Sequence, residues 1–243
     1  MSEINNKLNS LPEMLRREAV PAPSEYPSSS PPPPTISRPE PAPAEVLPSR
    51  MFAGPKQYPP RQFKAYGIVA FPARPSPDDA PRYKFFCDAY VSALPHYTDV
   101  RAPLSKQMVT VWPIDTDSEA TRINGASRDS VCGRAVPNYG LPIALHAIQE
   151  AIMNKAVLDG RGPFLLAWAP GSEKGNPNAL VLVSNLSNVS NIEDAKAVFT
   201  QWVTDIQEDQ SLWNNGWNLA KLKFIIRLWV DRYGNDIIKY FKG

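Results

Sequence analysis

Proline is spread unevenly along this chain, and the unevenness limits what each part can fold into. Of the 27 prolines, 15 lie between Met1 and Pro60 and only 12 in the rest. Proline fixes φ and removes a backbone donor, so neither a helix interior nor a central strand tolerates that density. Two regimes therefore share one chain: an arm over residues 1–60 and a single globular domain over 61–243. The arm has few large apolar side chains to offset the entropy of ordering, and it reads as disordered on its own.

Within the arm, residues 20–60 form a proline-rich spacer. Pro31–Pro34 and the alternating Pro39, Pro41 and Pro43 favour an extended polyproline II chain. Residues 1–19 have a different pattern: Ile4, Leu8, Leu11 and Leu15 recur at helical spacing. Pro12 interrupts the pattern, and a segment this short does not hold a helix alone. The four residues read as a docking peptide that folds on a partner's groove, against the plainer reading of a solvated tail.

The charge pattern argues against several function classes. Net charge is +2, and none of it comes from the arm, where Lys7, Arg16, Arg17, Arg38, Arg50 and Lys56 are matched by six glutamates. So slight an excess lacks the concentrated cationic patch that a phosphate backbone requires, and no nucleic-acid partner is expected. The longest apolar run, Phe224–Val230, contains Arg227 and is too short to span a membrane. Two cysteines, Cys87 and Cys132, are too few for a disulfide framework. With no secretory n-region or h-region at Met1–Ser10, the chain reads as cytoplasmic with reduced thiols.

The domain should be α/β, a mixed sheet in the order β-α-β-α-β-β-α-α. Continuous apolar runs mark doubly covered strands at Tyr66–Phe71, Gln107–Ile114, Pro163–Ala169 and Ala179–Val183. The last two are joined by a Gly/Pro/Asn-rich turn and should pair as an antiparallel hairpin. Helices are predicted from Asp79 to Leu94, from Pro142 to about Leu158, from Ser190, and from about Asn218 onward. Asp115–Asp129 reads as a polar connection.

Three constellations could carry chemistry. Cys132 lies just before a predicted helix and His146 in its first turns, so a thiolate and its base could meet there; the plainer reading is a small core cysteine and a helix-surface histidine. Asp115, Asp117 and Glu119 follow a strand, where α/β sheets place ligands, and convergent carboxylates could hold a hard cation. A solvated loop explains them equally well. Trp213 and Trp217 bracket a helix connection and could anchor a partner, or fold down over the sheet edge. The glycines fit neither a P-loop nor a dinucleotide fingerprint, and no cofactor is expected. The combined reading is a non-enzymatic adaptor, tethered to a protein partner through its arm. The alternative is an enzyme using Cys132 with His146, or the acids around Asp115.

Overall fold

The run YGIVAF lacks polar alternation because both faces of its strand are covered: β2 (Ala65–Ala70) is buried at every position. The computed structural model describes residues 46–208 apart from 155, 157, 170 and 174–180. Along one side of β2 runs β3 (Gln107–Pro113), parallel, with Tyr66 opposite Val109. Along the other runs β4 (Phe164–Trp168), antiparallel, with Tyr66 opposite Trp168. The expected hairpin forms between β4 and β5 (Leu182–Asn185); the first residues of the run from Ala179 lie outside the described residues.

The sheet has a fifth strand that the sequence reading placed in the spacer. β1 (Leu47–Ala53) pairs in parallel with β3, Leu47 opposite Gln107, giving the order β1-β3-β2-β4-β5. The folded domain therefore begins upstream of residue 61, inside the proline-rich stretch. Pro48 is tolerated because β1 is an edge strand, where a missing N–H can face outward. The outward groups of β1 that follow are satisfied from outside the sheet. Arg50 donates its N–H to the Pro95 carbonyl at 2.8 Å and accepts from Tyr97 N–H at 3.0 Å. Gly54 donates to Gln57 Oε1 at 3.0 Å, and Phe52 is held by Asn124.

Two helices, α1 (Ala80–Ala93) and α5 (Ile192–Glu208), pack against each other over one face of the sheet. On that face the Tyr90 hydroxyl lies 2.9 Å from the Met51 carbonyl and 2.7 Å from that of Thr110, tying β1 to β3. Trp202 Nε1 donates to Thr110 Oγ1 at 2.9 Å. The opposite face carries Tyr66 stacked on Trp168 at 5.6 Å and is covered by α4 (Leu141–Met153), which packs on β2, β3 and β4. The loop from β1 to β2 sets Tyr58 edge-on to Tyr66 at 5.7 Å.

The stretch read as polar connection contains two eight-residue helices, α2 (Asp117–Asn124) and α3 (Arg128–Ala135), the second running on past Asp129. Each is too short to be stable in isolation. Thr116 caps α2, its Oγ1 accepting Glu119 N–H at 3.2 Å. A covalent link secures α3: Cys87 on α1 and Cys132 form a disulfide, with a Cα–Cα separation of 5.7 Å. Both cysteines are buried. The expectation of reduced thiols is thus corrected, because two helices distant in sequence pack with their cysteines face to face.

Candidate functional site

The structure separates the two catalytic constellations suggested by the sequence. Cys132 is bonded to Cys87, and a sulfur in a disulfide is not a thiolate nucleophile. His146 sits exposed on α4 with Nδ1 3.8 Å from Glu150 Oε1, on its own helix. The acids beside β3 are also apart in their interactions. Asp115 takes a bidentate contact from Arg74 at 2.7 and 2.8 Å. Asp117 Oδ1 accepts the Lys56 N–H at 2.9 Å, and Glu119 pairs with Arg122 at 3.1 Å. Among the described residues no three His, Cys, Asp or Glu side chains converge as metal ligands. Ile4, Leu8, Leu11, Leu15, Trp213 and Trp217 lie outside the described residues.

What the fold does assemble is a pair of adjacent cavities along the outer edge of β1. One, of about 780 Å³, is lined by Lys56, Tyr58, Arg61 and Gln62 from the β1–β2 loop. The other, of about 580 Å³, is lined by Arg50 from β1, the last turn of α1, Asp99 and Arg128. His96, Thr98, Asn124 and Gly125 line both and form the wall between them.

That wall is held by a hydrogen-bond chain that starts on the backbone. Asn124 Oδ1 accepts the Phe52 N–H at 3.0 Å, and Nδ2 donates to the Phe52 carbonyl at 2.8 Å. The backbone thus sets the orientation of the amide. Its oxygen lies 3.2 Å from His96 Nε2, so Nε2 carries the proton and donates. Nδ1 is then an acceptor, and Thr98 Oγ1 donates to it at 2.7 Å. Burial holds the His96 pKa below the ordinary 6.5, and the nearby Arg50 charge acts in the same direction. The hydrogen bond to Asn124 and the Asp99 charge oppose it in part.

The second cavity gathers cations around the end of a helix. Arg50 Nε donates to the Leu94 carbonyl at 3.0 Å, and Arg128 Nη2 to those of Val91 and Ser92 at 3.0 and 2.8 Å. The last turn of α1 contains no basic residue, so these two arginines supply the charge its dipole calls for. Burial lowers the Arg50 pKa, and the like charge of Arg128 lowers it further.

Sequence reasoning passed over Arg50, His96 and Asn124. Arg50 was one of six cations balanced within the arm, and Asn124 stood in a polar connection. The available signal was the short apolar stretch around Arg50, Ser-Arg-Met-Phe-Ala, embedded among prolines. No protein-family model, curated protein or solved structure matches this chain. Among the described residues no helix is long and apolar enough to cross a membrane.

Proposed function

We propose that this chain is a non-enzymatic accessory protein, tethering a folded interaction domain to a protein partner through its N-terminal arm. One observation carries the reading: the histidine and amide at the centre of the domain's cavities are committed to holding a strand edge. His96 has both nitrogens bonded, and Asn124 is occupied with Phe52. Such a wall keeps a fixed shape, which suits recognition. The two-regime sequence supplies the tether, since linking two binding elements raises local concentration without new contacts.

The cytoplasmic setting is the part of this reading that the cysteines weigh against. Disulfides persist in oxidising compartments and are rare where thioredoxin and glutathione keep thiols reduced. The Cys87–Cys132 pair favours folding in an oxidising environment.

Affinity capture followed by mass spectrometry tests the tether, comparing full-length protein, a chain lacking residues 1–40, and the Leu8→Asp/Leu15→Asp double variant. The expected result is capture by full-length protein alone, with the circular dichroism of the domain unaltered in all three. Capture that survives both changes would place the dock on the folded surface instead.

A further inference from the structure

Arg50 and Arg82 are each only 8 % exposed, yet their guanidinium groups are treated differently by the fold. Arg82 places Nη1 on the Val189 carbonyl and Nη2 on those of Gly162 and Leu186, so both terminal groups are engaged. Arg50 engages only Nε, on Leu94, and packs over the Phe52 ring at 5.8 Å. Among the described residues nothing pairs with either of its terminal amino groups, and Arg50 lines the cavity of about 580 Å³. The terminal amino groups of Arg50 are therefore donors open to that cavity, on a charge that cannot be lost by deprotonation.

The surroundings bring both like and opposite charge to Arg50, with Tyr90 and Asp99 favouring its charge and Arg128 disfavouring it. Arg128 lines the same cavity, close enough to disfavour the charge on Arg50, and Asp99 is the single carboxylate among the lining residues. Asp99 makes no ion pair with Arg50; its Oδ1 lies 3.4 Å from Thr98 Oγ1. The terminal carbonyls of α1 accept from Arg50 Nε and Arg128 Nη2, which leaves the terminal amino groups of Arg50 as the donors facing the cavity.

We infer that the cavity between Arg50 and Arg128 is an oxyanion site, taking a carboxylate or phosphoryl group whose two oxygens match the open fork of Arg50. Arg128 contributes a second, exposed cation at the mouth, and the shared wall of His96 and Thr98 fixes the distance to the neighbouring cavity. The inference stands apart from the adaptor reading, since an oxyanion could arrive on a partner's side chain or as a free small molecule.

Calorimetric titration of the full-length protein with inorganic phosphate and, separately, with glutarate at low ionic strength tests the site. The expected result is saturable uptake of at least one of the two, at one site per chain. Tighter uptake of phosphate assigns a phosphoryl ligand and tighter uptake of glutarate a carboxylate. Arg50→Lys keeps the charge and the backbone bonds but loses the fork, and should weaken binding about tenfold or more. Arg128→Gln removes an exposed cation together with its bonds to the Val91 and Ser92 carbonyls and should weaken binding several-fold; this variant decides the matter if Arg50→Lys does not fold. The inference is overturned if neither probe binds saturably, or if the folded variants bind as the wild type does.

Discussion

Asn124 treats Phe52 as a neighbouring strand would, accepting its N–H at 3.0 Å and donating to its carbonyl at 2.8 Å. A side-chain amide thereby completes the exposed edge of β1, the kind of edge that otherwise invites pairing with another chain. Asn124→Ala would leave both Phe52 backbone groups and His96 Nε2 without this partner. The expected loss is about 2–3 kcal/mol in urea unfolding, since each such bond contributes roughly 1 kcal/mol and unmatched groups add to it. Light scattering should show a rise in self-association. Unchanged stability would mean that water replaces the amide at no cost.

The Cys87–Cys132 link closes a loop with a sequence separation of 45 and holds α3 against α1. Loop-closure entropy for a loop of that size corresponds to about 4 kcal/mol. Reduction, or the Cys87→Ser/Cys132→Ser pair, should lower unfolding stability by up to that amount. Protein isolated without reductant should show no thiol titratable under denaturing conditions. Two titratable thiols per chain would return the protein to a reducing compartment.

Truncation should behave differently on either side of β1. A chain lacking residues 1–40 should melt within a few degrees of full length, because that segment offers few apolar side chains to pack. A chain starting at Arg61 loses Phe52, Met51 and the strand that shields β3, together with the buried anchor for Tyr90. It should not unfold cooperatively. A sharp melt for that chain would show β1 to be dispensable.

His96 should make the domain sensitive to mild acid. Its pKa is depressed in the fold, chiefly by burial, so the neutral ring is the favoured form. The stability it contributes is present above the ordinary 6.5 and is lost as pH falls through its lower folded value. Protonating Nδ1 would also require the Thr98 hydroxyl to turn its proton away, toward Asp99 Oδ1 at 3.4 Å, and accept from the ring instead. Melting temperatures from pH 7.5 to 5 should fall more steeply for the wild type than for His96→Gln. Parallel curves would assign the acid sensitivity to other groups.

Local pattern was sufficient for the strands at Tyr66–Phe71, Gln107–Ile114 and Pro163–Ala169 and for the helices beginning near Asp79, Pro142 and Ser190. The strands are continuous apolar runs, the helices carry apolar residues at helical spacing, and turn or cap residues bound them, so neighbours along the chain carry the information. The hairpin of β4 with β5 followed from connection length, whereas the parallel pairing of β2 beside β3 is visible only in the structure. What only the tertiary structure decided depends on partners far away in sequence. β1 reads as spacer because it contains Pro48 and Arg50, yet it is a strand because β3, Pro95, Tyr97 and Asn124 satisfy its backbone. α2 and α3 are too short for their own periodicity to announce them, and a cap and a disulfide secure them. The sequence could name Cys132 as a candidate nucleophile but not place Cys87 beside it. Nor could it set Arg50 on a cavity with its terminal amino groups open, because the neighbours of a charge are decided by packing and not by its place along the chain.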